Sequence, residues 1–285
     1  MSFNPFRADV EPGPCGDFPL SRAERRRFLW GNLAANIGGA LAPLPLSRFR
    51  PSGKSKPMEA TPSPMRLLVD AYLVEGLPAL IGPARPISVL DIGGGSGYVR
   101  QALAEAGYSG EYVCVDAAAD SEFAECETPA FRASQIVAPF ESFDAGRTFD
   151  LVLSVTSLEH VKDVGATLTN AQRHRAPGGV ELHVVPGGWS LPCYIWHGYR
   201  QFSRGRIRVA FGSRGEGYQV VALGGLGSLL LQFLGVTVPE RWLRRRLRGR
   251  PLYARLTRWA ARLDRWAPVA PLAYAVVSPT RTPRR

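Results

Sequence analysis

The chain of 285 residues is 45% hydrophobic and 21% charged, enough apolar material for a buried core without covalent staples. Its four cysteines, Cys15, Cys114, Cys126 and Cys193, lie far apart and form no CxxC pair, which argues against a zinc site or a disulfide framework and fits a reducing cytoplasm. The net charge of +11 is segregated: residues 1–56 carry +5, residues 57–199 −9 and residues 200–285 +15, so basic surface is a local feature of the C-terminal third.

The N-terminus has prolines and acids where a signal peptide would have its apolar stretch. Residues 1–64 read as an arm with one helix, SRAERRRFLWGNLAANIGG, which Ser21 caps with Glu24 three residues on. LAPLPLSRFRPSGKSKP then reads as a mobile linker. From residue 65 to the end the pattern is that of one domain. A helix is expected over MRLLVDAYLVEGLPAL, then a buried strand PISVLDI, a helix YVRQALAEAGY and a second strand EYVCVD. RASQIVAP, FDLVLSV and VELHVVP supply further strands, with helix ATLTNAQRHRA before the last of them, and APLAYAVVSPTR closes the sheet. Alternation of this kind predicts a mostly parallel sheet with helices on both faces and a ligand edge at the strands' C-terminal ends.

Two stretches stand apart. Residues 187–219 form an insertion rich in aromatic side chains. Residues 220–239 hold no charge and are long enough to span a bilayer, but four glycines, Ser228 and Gln232 favour a strand, a turn and an apolar helix. The basic segment 239–266 reads as helical and mixes tryptophans and leucines with arginines, a pattern that suits peripheral contact with an anionic membrane surface or packing on the domain.

The densest signal is VLDIGGGSG, residues 89–97. Glycines after a buried strand permit positive φ and let a ligand approach the backbone at a helix N-terminus. A dinucleotide fingerprint would need glycine at position 98, which is Tyr98, and a phosphate loop would need a GK pair that is missing; a nicotinamide oxidoreductase is therefore disfavoured. What remains is GxGxG at Gly93, Gly95 and Gly97, with Asp91 two residues ahead. In this the chain resembles the class I S-adenosylmethionine-dependent methyltransferases. The resemblance continues through Asp116 at the end of the second strand, FDLVLSVTSLEHV at 149–161 and the turn Pro177–Gly178–Gly179.

The resemblance covers about residues 65–186, with the last strand completing the sheet. It implies a Rossmann-like, seven-stranded α/β fold and S-adenosylmethionine as cofactor, held by Asp91, Gly93, Gly94, Gly95, Gly97, Asp116 and Ser154. Asp116 is the acid expected on the ribose hydroxyls, since each carboxylate oxygen accepts one hydroxyl hydrogen. Glu141, in APFES, is a loose match for the family's acid near adenine, and a solvated loop acid is its alternative reading.

The implied reaction is methyl transfer to a small-molecule or glycan acceptor, with oxygen favoured. An alcohol oxygen needs a base. His197, in the aromatic insertion, and His160, in LEHV, are the candidates, His160 having a structural or cofactor-side role as its alternative. Trp196, Tyr199 and Arg200 are the expected acceptor contacts. His183 reads as a packed strand residue and His174 as a helix-end residue. No metal ligand set is read from the sequence. A non-catalytic scaffold that binds the cofactor and a nucleic-acid methyltransferase stay open, the second disfavoured because SVTSLEH stands where nucleobase enzymes carry an NPPY-type pocket.

Overall fold

The computed structural model describes residues 13–52, 62–214 and 217–279. Residues 1–12 of the arm and 53–61 of the linker lie outside them. Among the described residues eight strands form one sheet. In chain order they are β1 (Leu46–Arg48), β2 (Pro86–Ile92), β3 (Ser109–Asp116), β4 (Phe131–Val137), β5 (Phe149–Val155), β6 (Arg175–Pro186), β7 (Gln219–Leu223) and β8 (Ala273–Ser278). Their order across the sheet is β1-β7-β8-β6-β5-β2-β3-β4. All neighbours run parallel except β8, which is antiparallel to both β6 and β7.

The seven strands expected from the sequence are thus present, with one more at the edge. That extra strand comes from the stretch read as a linker: Leu46, Ser47 and Arg48 pair with Val220, Val221 and Ala222. A proline-flanked triplet shows no strand periodicity, so the sequence offered no sign of it. Helix α1 (Arg22–Ala40) precedes it, and the Ser21–Glu24 capping box forms as read.

The strands are apolar on both faces, as a sheet covered on both sides requires. On one face Val89, Leu151, Leu153 and Leu182 pack beneath α2 (Pro64–Glu75), α3 (Pro78–Ile81) and α4 (Val99–Glu105). On the other, Leu90, Val113 and Val152 meet Ala171 of α5 (Val164–His174), and Val220 and Val276 meet Ile207 and Phe211 of α6 (Arg204–Gly212). Each fully buried large aliphatic side chain contributes roughly 1.5–3 kcal/mol. Because β2, β3 and β5 are adjacent and parallel, their C-terminal ends and the loops that follow share one edge.

The uncharged run 220–239 divides as read, into strand β7, a Gly224–Gly225 turn and helix α7 (Leu226–Leu230). Helix α7 continues as a wider, π-helical winding over Leu231–Trp242, and among the described residues no helix is long and apolar enough to cross a membrane. The basic segment is not one helix. The winding contains Pro239 and stops at Trp242, and the chain restarts at Pro251 as α8 (Pro251–Trp266). The aromatic insertion ends in α6, against which α1 packs; Gly39 lets the two approach, since a side chain there would collide with Ser203.

Candidate active site

Between β2 and α4 the chain turns through Gly93, Gly95 and Gly97, at φ values of 68, 52 and 66°. Only glycine adopts these without strain. The loop carbonyls are tied from below: Arg100 donates to Gly97 O (3.0 Å), Ser96 O (3.3 Å) and Phe123 O (2.6 Å), and Gln135 of β4 donates to Gly95 O (3.2 Å). Asp116, at the end of β3, accepts the Gly95 N–H at 3.0 Å through one oxygen. Arg100 and Gln135 escaped the sequence reading, because an arginine in a helix and a glutamine in a strand carry no signature of what they support.

Asp91 is fully buried behind this loop. Burial pushes its carboxyl up to about 7; the Tyr112 hydroxyl, which donates to it, and Arg100 oppose the shift, while Asp116 adds to it. Its Oδ1 has no hydrogen-bond partner among the described residues. Gly94 lies directly against this carboxyl, with no room for a Cβ. A glycine loop with positive φ values, a half-buried acid at the end of the next strand and a buried carboxyl oxygen without a partner among the described residues form a cradle that fits the expected cofactor.

Ser154 corrects one expectation. It is fully buried, and its hydroxyl bonds His183 Nδ1 across the β5–β6 register at 2.8 Å. Side chains alternate along a strand, and this one points into the sheet's packed interior rather than to the ligand edge. His183 is packed, as read, and also meets Glu181 at 3.3 Å. Ser157, three residues on, takes the position near the loop: Gly93 packs against it, and its hydroxyl donates to Ile92 O at 2.6 Å. Glu141 lines a cleft of about 510 Å³ with Asp144, Arg173 and His174, away from the glycine loop.

Beyond β5, Thr156 takes a positive φ of 50° and the chain enters a short turn over Leu158–His160. Glu159 is buried, its Oε2 has no partner among the described residues, and burial raises its pKa to about 8. Its carboxyl, Tyr98 of the glycine loop and Tyr194 of the insertion lie close enough to influence one another's ionisation.

The two histidines selected from distant parts of the sequence meet here. Their rings cross edge to face at 4.4 Å, and Tyr194 stacks on His197 at 5.7 Å. What joins them is Asp17 of the N-terminal arm: one carboxylate oxygen lies 2.6 Å from His160 Nδ1, the other 3.1 Å from His197 Nδ1 and 3.0 Å from the Gly198 N–H. Burial pushes the Asp17 carboxyl up, but the Gly198 N–H and His160 outweigh it and the net shift is downward. Burial lowers the His197 pKa and His160 adds to that, with Asp17 opposing. The Asp17, His160 and His197 ligand atoms all lie within 4.8 Å of one another, close enough to take a metal ion, which was not foreseen.

Trp196 packs against the Gly16 backbone, with Arg25 of α1 over its ring at 5.4 Å. The Tyr199 N–H donates to Glu159 O at 2.7 Å, and Arg200 donates to Lys162 O at 3.0 Å. The insertion is therefore stitched to the turn after β5, and the Arg200 guanidinium already has a partner.

A family model described as a methyltransferase domain matches residues 65–208, half of the chain. The chain belongs to this family. It is an S-adenosylmethionine-dependent methyltransferase, with S-adenosylmethionine as its cofactor. Among similar curated proteins, the ubiquinone biosynthesis O-methyltransferase of Paramagnetospirillum magneticum is 30% identical over 176 residues, spanning 54% of this chain and 68% of that one. The protein of the same name from Rhizobium etli is 32% identical over 145 residues, spanning 46% of this methyltransferase and 55% of its own length. A solved S-adenosylmethionine-dependent methyltransferase from Archaeoglobus fulgidus superposes with a TM-score of 0.47 at 16% identity, over 74% of this chain and 93% of that one.

Proposed function

We propose that this methyltransferase methylates a hydroxyl oxygen of a small molecule, with the Asp17–His160–His197 cluster removing the proton. The observation that carries the reading is one carboxylate holding two imidazoles through Nδ1 at the ligand edge of the sheet. A carboxylate at Nδ1 fixes that nitrogen as the donor and leaves Nε2 as an acceptor. The O-methyltransferase relatives support oxygen as the atom methylated.

S-adenosylmethionine, when bound, supplies a methyl group activated by its sulfonium. Asp116 and the glycine loop hold it, and Asp91 supports that pocket from behind. On the acceptor side an imidazole Nε2 takes the hydroxyl proton as the oxygen becomes the nucleophile. Asp17 keeps the imidazole oriented and stabilises it once protonated, and the first part of the aromatic insertion, residues 187–203, excludes water. Tyr194, Trp196 and Tyr199 supply aromatic surface that suits a ring, phenolic or sugar, over an extended chain.

The test is turnover on a panel of small phenols, catechols and sugars, read as methyl ether formation by mass spectrometry. Replacing both His160 and His197 by Ala is expected to lower kcat by ~10²–10⁴-fold. Asp17→Asn is expected to lower it less, with calorimetric affinity for S-adenosylmethionine preserved in both variants. Methylation at nitrogen or carbon, or full turnover without both imidazoles, refutes the proposal. The proximity of the three ligand atoms favours one second reading, a bound divalent ion that activates the hydroxyl. Exhaustive chelation separates the two: turnover that survives it belongs to the base, and turnover lost and restored by added metal belongs to the ion.

A further inference from the structure

Helix α8 has a wider apolar sector than the protein covers. Tyr253, Leu256 and Ala260 pack on Leu231 and Val236, which seats one side of the helix. Beside that seat Leu252, Trp259 and Trp266 recur every seven residues and stand 58, 62 and 89% exposed. Trp242 and Leu243, at the end of the π-helical winding, are exposed to a similar degree at 60 and 61%. A stripe of large apolar side chains left exposed along one side of a helix marks an interaction site.

The charge around them has one sign. Nine exposed arginines lie between positions 241 and 265, four of them on α8 next to the apolar stripe. The two acids of residues 231–266 are both engaged: Glu240 takes Arg248 in a two-pronged pair at 2.6 and 2.7 Å, and Asp264 accepts from the Ser228 backbone and hydroxyl. Nothing acidic is left to answer the exposed arginines within the segment.

We propose that the face formed by α8 and the end of the 231–242 winding docks on an anionic lipid bilayer. Tryptophan suits the headgroup level, where its ring is half apolar and its N–H is wet. Arginine stems lie along apolar surface while their guanidiniums reach lipid phosphates. A nucleic acid would meet the arginines but leave Leu252 and Leu243 facing water, so the combination favours the bilayer. The docking face adjoins the acceptor side of the site. Thr237 of the winding donates to Cys193 O at 3.2 Å, and Arg241 lies near enough to His197 to disfavour its protonated form. Docking through this face therefore sets the acceptor side of the site beside the membrane.

The experiment is co-sedimentation of the full chain with vesicles of phosphatidylcholine alone and with phosphatidylcholine containing phosphatidylglycerol. Binding to the mixed vesicles, weakened by salt, is expected, with little to phosphatidylcholine alone. Trp259→Ser with Trp266→Ser, and separately Arg255→Glu with Arg262→Glu, are each expected to weaken it by roughly tenfold or more. All four side chains are exposed, so thermal midpoint and calorimetric affinity for S-adenosylmethionine are expected to match the parent. The proposal falls if the mixed vesicles are not bound, or if both double variants bind them as the parent does. It falls equally if the chain ignores vesicles yet binds a DNA duplex or RNA strand in a manner that only the arginine variant loses.

Discussion

Burial favours the protonated form of a carboxyl group, and it raises the pKa of Glu159 to about 8 against the opposing hydrogen bond from its own backbone. The folded chain then carries a proton at Glu159 that the unfolded chain releases near pH 4.3, so this residue lowers stability as pH rises between those values. His183 and His197, whose pKa values burial lowers, act in the opposite sense, but their effect is complete once the unfolded imidazoles are neutral, above roughly pH 6.5. The thermal midpoint is therefore expected to fall between pH 6.5 and 8.5, and Glu159→Gln to flatten that fall; an unchanged slope in the variant would place the titration elsewhere. Arg100 is the second residue of consequence. It satisfies three carbonyls in and beside the glycine loop, and Arg100→Ala is expected to weaken S-adenosylmethionine by about tenfold, in keeping with the loss of a charged hydrogen-bond donor worth ~1.5–3 kcal/mol. Calorimetry reads this directly. The glycines and Asp116 were legible in the sequence because their spacing is dictated by a local turn. Arg100, Glu159 and Asp17 were not, because what makes each important is what surrounds it.

Among the elements, α1 was readable to its cap, and Ser21→Ala is expected to cost about 1 kcal/mol of stability, seen as a lowered denaturation midpoint. The stretch before it has a different use. Residues 13–20 bring Asp17 to the histidines, while α1 and β1 fasten the arm to α6 and β7. A chain shortened to begin at Ser21 is thus expected to fold and to bind S-adenosylmethionine, yet to turn over no faster than Asp17→Asn. Retained turnover would show that the histidines work without the carboxylate. The strand at 46–48 and the break between Trp242 and Pro251 are the elements that local pattern misread. The first is held by hydrogen bonds to β7 rather than by its own propensity, and the second separates a winding that ends at Trp242 from a helix that Pro251 begins.

At the scale of the molecule, a ligand that binds only the folded chain stabilises it in proportion to the logarithm of one plus its concentration over its dissociation constant. S-adenosylmethionine at a hundred times its dissociation constant contributes about 2.7 kcal/mol, which is expected to raise the thermal midpoint by roughly 5 °C in a chain of this size. The sequence by itself determined the sheet's composition, the glycine loop and the acid at the end of β3, and through them the cofactor. These depend on contacts within a strand–turn–helix unit and on apolar runs that must be buried, and both are written in adjacent residues. Only the tertiary structure decided that Asp17 completes the histidine pair, that Ser154 faces the interior and Ser157 the loop, and that half of the apolar sector of α8 stays uncovered. Each of those depends on which surfaces the chain brings together from positions more than a hundred residues apart, or on which side of a strand or helix finds something to pack against.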